Sequence, residues 1–586
     1  MSRLFRSSCV LGLSLLSLAG TAHALPALMD RVPADAFVSV VVSNPQRLEQ
    51  RLKTTAQAMG LPPEQIAQIN LEALLQMAGI ADSVKADGGL AFFTPLPKEE
   101  KNGAGGSSDD LGIVLIPVKD YAGFVKAMGG TGTAAQEKTN LNGEDMFVRN
   151  LGEGYAAMAK NEAALSAFSG KGGNLSSHRK LISAGADKIS ESADVVIMIN
   201  AELGRPLIKK AVAAAQERMQ QQMMMMGQGA QNTEAAQWAV NLLVDNSRSL
   251  LMGLSLDGSG VSADAVTTFT EGSKLAKITS GKGLAGALLG KLPKREYLLA
   301  GALDLSNADL KNLLAEMPIP ADQKPQGFDM MAMMKNTDGA GFVLGFNPGG
   351  IMAGALTQTV SYVAVKDTDA GLKTFQDSIA ALQANKMGKG KYTPAKAEVD
   401  GVKVDEYEMQ IKAPEGQPGA GQAMIMMFGP SGGPTGYIAK SQGGYIQTYS
   451  KSSELMSAAL KASKGENTLS GDPSVKPVTD RLPANRLAEL YISPRGIIET
   501  IKPLAAMVGG AGIDFDTPAQ VAPIAFSIAP SEGSAIATIY VPNQSVKTIT
   551  DFATAAKKAL NPEEEPEAEP APAKKDEGKK DAKPKF

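Results

Sequence analysis

The sequence predicts an α+β protein: a tandem duplication of a mixed or antiparallel sheet-and-helix domain, followed by a disordered, charged C-terminal tail. Three observations carry that prediction. A series of local patterns in residues 31–280 returns in the same order in residues 291–557. Within each half, short alternating or apolar runs are interleaved with helical segments and tight turns, without the strict strand–helix alternation of a doubly wound sheet. Beyond Leu560 the chain turns to Asn-Pro-Glu-Glu-Glu-Pro and then to Lys-rich sequence ending at Phe586. Such a composition cannot bury enough apolar surface to offset the entropy of ordering it.

The first segment is expected to be removed before folding. Arg3 and Arg6, the apolar run Val10 to Ala19 and the small-residue site Ala22-His23-Ala24 have the order of a cleavable secretory signal. A run of about ten residues is half of what crosses a bilayer, and no later run reaches that length, so no transmembrane span is expected in the mature chain. Leu18-Ala19-Gly20 is followed by Thr21, where a lipid-anchored protein would need cysteine. The mature protein is therefore expected outside the cytoplasm, periplasmic or secreted. The single cysteine, Cys9, lies inside the signal. Disulfides and thiolate chemistry are excluded for the mature chain.

The two halves then answer each other element by element. Val32-Pro33-Ala34-Asp35 leads into a strand at Phe37 to Val42 and a helix at Leu48 to Met59; Leu292-Pro293 leads into a strand at Tyr297 to Leu303 and a helix at Leu310 to Met317. A strand ending at Val118-Lys119-Asp120 precedes a helix, as does one ending at Val365-Lys366-Asp367. Hairpins are expected at Asn142-Gly143 and Asp400-Gly401, dipeptides that tolerate the positive φ angles of a two-residue turn. Gly154-Tyr155 and Gly444-Tyr445 each open a strand that leads to a small-residue helix. Val195 to Ile199 with a helix after Arg205-Pro206 answers Leu490 to Ile492 with a helix after Pro494-Arg495. A closing hairpin, Leu250 to Thr270, answers Ile524 to Val541.

A period of about 260 residues makes each copy a domain and not a solenoid repeat. The expected organisation is a signal peptide at 1–24, a first copy at 25–280, a linker at 281–290, a second copy at 291–560 and the tail at 561–586. Lys98 to Asp110, Gln220 to Asn232 and Ala413 to Gly436 are expected to be mobile stretches. The Pro-Ala-Asp opening with its strand and Leu-x-x-x-Leu helix, answered in a second copy between a signal peptide and a charged tail, resembles exported bacterial proteins with a duplicated domain of unknown function, common in planctomycete-like genomes. The resemblance implies location and architecture only. It brings no catalytic residues.

Composition excludes several chemistries. A formal net charge of −3 spread over 586 residues offers no basic surface for nucleic acid. The mature chain has one histidine, His178, and no cysteine, so the usual zinc, haem and iron–sulfur ligand sets are missing. No carboxylates fall into calcium-loop spacing. No cofactor is expected. Gly281-Lys282-Gly283-Leu284-Ala285-Gly286 satisfies G-x-G-x-x-G, but it follows a helix-like piece, Ser273 to Ile278, where the dinucleotide motif needs a buried strand. A flexible interdomain linker is the expected role. Gly429-Pro430-Ser431-Gly432-Gly433 satisfies G-x-S-x-G, with a strand expected at Met424 to Phe428, yet Gly432-Gly433-Pro434 cannot start the helix that a nucleophile elbow requires.

Methionine is the one compositional anomaly, with 27 in the chain. Clusters at Met223, Met224, Met225 and Met226, at Met330, Met331, Met333 and Met334, and at Met424, Met426 and Met427 are candidate soft ligands for Cu(I), or filler of apolar contacts. The first cluster is expected at the exposed end of a helix and the last on a strand or loop. Together these features predict a non-catalytic binding or scaffold protein of the cell envelope with an unknown partner or ligand. A carrier for an apolar ligand or Cu(I), with a closed apolar pocket between sheet and helices, is one alternative. A hydrolase, with paired carboxylates in a polar cleft or Ser431 beside His178, is the other.

Overall fold

Among the described residues, nineteen strands, each paired antiparallel to its neighbours, run through both halves as one sheet in the computed structural model of the chain. The structure describes residues 28–560 apart from 34, 86–87, 97–110, 142, 169–180, 226–232, 319–333, 348–352, 385–387, 413–418 and 510–511. The signal segment, the tail, the stretch from Lys98 to Asp110 and His178 lie outside the described residues.

The first half opens with β1 (Ala36–Val42) and α1 (Pro45–Ala58). Asn44 caps that helix by accepting the Arg47 amide, and Pro45 sits in the first turn, where its missing N–H costs nothing. β2 (Leu90–Pro95) and β3 (Ile113–Pro117) follow, then α2 (Tyr121–Ala127), capped by the Asp120 carboxylate on Gly123 N. Next come β4 (Gln136–Leu141), β5 (Glu144–Gly152), β6 (Tyr155–Ala159) and β7 (Val195–Ile199). The half ends with the helices α3 (Ala201–Met225) and α4 (Thr233–Asn246) and the hairpin β8 (Ser247–Leu256) and β9 (Gly260–Phe269). Its sheet order is β4-β5-β6-β3-β2-β1-β7-β8-β9.

Between the halves lie the short helices α5 (Lys274–Ile278) and α6 (Ala285–Leu289). The second half begins with β10 (Tyr297–Asp304), α7 (Ala308–Ala315), β11 (Thr337–Gly345), β12 (Thr359–Val365) and α8 (Thr368–Ala384). It continues with β13 (Gly388–Val399), β14 (Val402–Ile411), α9 (Ala420–Phe428), β15 (Thr435–Ser441), β16 (Gly444–Thr448) and α10 (Ser453–Ser463). It closes with β17 (Ala488–Ile492), α11 (Pro494–Gly509), β18 (Ile524–Ser531), β19 (Ser534–Pro542) and α12 (Asn543–Leu560). The order here is β13-β14-β15-β16-β12-β11-β10-β17-β18-β19. In each half the opening strand is central, flanked by the second strand on one side and by the strand before the last hairpin on the other.

The halves meet where β9 pairs with β19, from Gly260↔Pro542 to Ser534↔Thr268. At the middle of this seam Asp264 faces Thr538, whose hydroxyl donates to the carboxylate at 2.6 Å.

Some expectations hold and others need correction. The pairing is antiparallel throughout, one of the two patterns expected. Asp400 (φ 49°) and Gly401 (φ 76°) make the expected two-residue turn, and Gly143 has φ 88°. Both hairpins are the outermost of their halves, but one strand separates β5 from β3 while two separate β14 from β12, so the strand-for-strand match expected there fails. Met424, Met426 and Met427 lie on α9 and not on a strand or loop, and described parts of the stretch expected to be mobile at Ala413 to Gly436 are helix and strand. The segment 281–290 is no flexible connection: Gly283 and Ala285 donate to the Asn485 and Arg486 carbonyls at 3.0 and 2.9 Å, and Ala285, Leu288 and Leu289 are buried in the core of the second half.

One face of the sheet, the back, carries the two main cores. Val41, Val196, Met198, Leu251 and Val266 lie in the back core of the first half, and Ala300, Tyr491, Ala525 and Tyr540 in that of the second. On the other face, the front, helices stand at the two ends of the strands. α1 packs Leu48 on Val42 and Leu256, and α12 packs Phe552 on Ile498 of α11, all where β1, β17 and β19 finish. At the opposite end Leu275 of α5 and Leu313 of α7 pack on Phe269, with Trp238 of α4 beside them. Among the described residues no helix is long and apolar enough to cross a membrane.

Candidate functional site

The polar candidates resolve into structural contacts. Ser431 sits in a single 3-10 turn, where its hydroxyl lies 3.1 Å from the Phe428 carbonyl and 2.8 Å from the Gly433 carbonyl. The segment before it, Met424 to Phe428, is helix and not the strand of an elbow. The three central amides of the G-x-G-x-x-G segment are engaged by the protein itself: besides the two backbone bonds above, Leu284 N donates to Asp304 Oδ2 at 2.7 Å, so these three do not cradle a phosphate. Of the Met candidates, Met223, Met224 and Met225 form the last turn of α3, and Met226, Met330 and Met331 lie outside the described residues. Met424 and Met426 are two residues apart on α9, about 200° around the helix, so they do not face one ion. Among the described residues no group of three or more His, Cys, Asp or Glu is placed to hold a metal.

Glu137 is the most perturbed carboxyl, and its cause is local. The Ala134 amide donates at 2.7 Å, helped by Thr131 N at 2.7 Å, Gly132 N at 3.1 Å and the Thr131 hydroxyl, which together pull its pKa down to about 2. A depressed carboxyl stabilises the fold above its ordinary pKa and loses that contribution as the pH falls through the folded value. An NMR titration of Glu137 is expected to show a midpoint near 2. A midpoint in the ordinary range of about 4.3 would show that the 131–134 loop does not hold it.

What the polar inventory lacks, the front of the sheet supplies. Following the register across eight strands gives one row: Val40, Ile197, Met252, Ala265, Ala537, Ile528, Ala488 and Leu303. The next row holds Val195, Leu254, Ala263, Ile539, Phe526 and Leu490. No member of either set is polar, and none is buried; Ile539 and Leu303 are 46% and 42% exposed. The same strands alternate sharply, so that β7, β17 and β18 are buried on every second residue and half-exposed on the others.

An antiparallel sheet with one buried face ordinarily shows polar residues on the other. Here the polar residues Asp264, Thr538, Ser527 and Glu489 lie on the covered back, while these front rows are apolar and are not buried by the described residues. With strands about 4.8 Å apart, the bare row is about 34 Å long, and it lies between the two sets of helices. Contiguous exposed apolar surface on this scale marks a site of interaction.

The sequence carried the signal but not its meaning. Val195 to Ile199 and Ile524 to Ile528 are nearly continuous apolar runs, the pattern of strands covered on both faces. Only the structure shows that the described residues bury one of the two faces there. The chain matches no family model, no curated protein and no solved structure.

Proposed function

We propose that this is an exported, non-catalytic binding protein of the cell envelope that takes an apolar ligand against the front of its sheet. The observation that carries the reading is the eight-residue front row, apolar throughout and buried nowhere. Transfer of such surface from water is worth roughly 25 cal/mol per Å², so a ligand that covers it gains affinity without any hydrogen bond. The N-terminal signal pattern supports export. The alternative of a carrier with a closed pocket takes a different form here, because the surface is an open floor between rows of helices.

The common strand order supports descent of both halves from one unit, with one strand gained in the second. On that reading β9 and β19 are equivalent edges, and their pairing across Asp264 and Thr538 has the two-fold character of a self-complementary interface.

Binding of the uncharged dye Nile red tests the function. The wild-type protein is expected to enhance and blue-shift its emission. The double variant Met252→Glu and Ile539→Glu, at two half-open positions of the floor, is expected to bind roughly tenfold more weakly with unchanged circular dichroism. No dye binding by the wild type, or equal binding by the variant, would defeat the reading.

A further inference from the structure

The second half makes an excursion that the first half lacks. In the first half β5 passes to β6 through a tight turn with positive φ at Glu153 and Gly154. In the second half β14 is followed by α9 and β15 before the chain enters β16, and the sheet gains a strand there. β15 is paired on both sides, with β14 and with β16. α9 is not covered in the same way: none of its nine residues is buried.

The composition of this excursion is as distinctive as its place. From Gly416 to Ala439 no residue is charged, in a chain of which 20% is charged. Ala423 to Phe428 are six apolar residues in succession. Neighbours in an α-helix are about 100° apart, so six of them reach every side of it. Ile425 and Met427 are 44% and 42% exposed.

A helix that packs on a protein surface keeps its apolar residues in one stripe with polar residues opposite, whereas a helix apolar on all sides is matched by a surrounding apolar medium. The backbone suits that medium too. Carbonyls of the last turn, ordinarily without partners, are taken up here: Ile425 accepts from the Gly429 amide, Met426 from Ala355 and Met427 from Leu356, the last two at 2.8 Å. At about 1.5 Å per residue the nine residues span about 14 Å, half of a ~30 Å hydrocarbon layer. That length reaches through one leaflet and does not cross.

We propose that α9 is a membrane anchor that inserts into one leaflet of a lipid bilayer by hydrophobic contact alone and holds the protein at the membrane surface. The partner is the hydrocarbon of the bilayer and not a charged head group, because the excursion offers no charge to attract one. The apolar floor lies on other strands, so the two inferences stand apart.

Flotation of the mature protein with vesicles of phosphatidylcholine, which carries no net charge, tests the anchor. The wild type is expected to float with the vesicles equally at about 0.1 and about 1 M salt, since no ionic attraction is there to be screened. The double variant Ile425→Asp and Met427→Asp, at positions open to water in the free protein, is expected to keep its circular dichroism and to bind at least roughly tenfold more weakly. The single cysteine of the chain, Cys9, lies in the segment expected to be removed, so Ile425→Cys gives one site for a nitrobenzoxadiazole dye. On vesicles its emission is expected to shift to the blue and to be quenched by lipids spin-labelled within the acyl chain. No flotation of the wild type, which is also the result for a helix that docks on a protein, overturns the proposal. So does equal flotation of the aspartate variant, flotation abolished by salt, or a dye on Ile425→Cys that stays in water.

Discussion

Replacing Asp194 with alanine is expected to cost about 3–5 kcal/mol, the range for removing one partner of a buried ion pair. The Asp194 side chain is fully buried, just before β7. Both its oxygens accept from Arg51 Nη1, at 2.9 and 2.8 Å, Arg47 Nε lies 3.2 Å away, and the Leu256 amide donates at 3.1 Å. One carboxylate thus ties α1, β7 and the end of β8 together. Truncation would leave two guanidiniums and a backbone N–H facing a void, and a backbone donor stripped of its acceptor carries its own desolvation penalty. Asp194→Asn keeps an acceptor for Leu256 and should fall between. Urea unfolding, read as a shift in midpoint at unchanged slope, measures it. A loss under about 1 kcal/mol for the alanine variant would mean that the arginines find other partners.

Gly436→Ala is expected to cost about 3 kcal/mol, at the upper end for overpacking. A methyl group on Gly436 of β15 would lie 1.9 Å from the Thr448 carbonyl oxygen and 2.7 Å from its carbon. That oxygen cannot retreat easily, because it also accepts from the hydroxyl of Tyr407 at 2.8 Å, and Tyr407 is fully buried and held by Gln447 at 2.8 Å. Backbone, not a flexible side chain, is the obstacle. The expected effect is separation of β15 from the end of β16. Denaturation midpoints of the wild type and variant measure it, and a loss below about 1 kcal/mol would show that the strands can part without cost.

Much of the fold was legible because it depends on local chemistry. Asn44-Pro45 and Asp120 announce helix starts through their caps, and Asp400-Gly401 announces its turn through the φ angles that pair accepts. What was not legible depends on neighbours distant in sequence. Arg47 and Arg51 are four apart on one helix face, but nothing local points to Asp194, 143 residues beyond Arg51. Met424 to Phe428 reads equally as a buried strand or a short apolar helix, and its backing by residues 353–357, where Ala355 and Leu356 donate to the Met426 and Met427 carbonyls at 2.8 Å, decides for the helix. The candidate site was hidden for the same reason. An apolar strand announces that both its faces avoid water, not whether the fold or a ligand provides the second cover.

The seam between β9 and β19 also bears on how the chain survives its own synthesis. Until Ser534–Pro542 has emerged, β9 is an unpaired edge, a template on which a second nascent chain could add its own β9. In the antiparallel register used by the finished protein, such a pairing would bring the Asp264 carboxylate of one chain opposite the same carboxylate of the other, a repulsion placed at the centre of the ladder. β19 offers Thr538 at that place, and the repulsion becomes a hydrogen bond. The same carboxylate that would repel its own copy across the ladder accepts a hydrogen bond from the chain's own last strand.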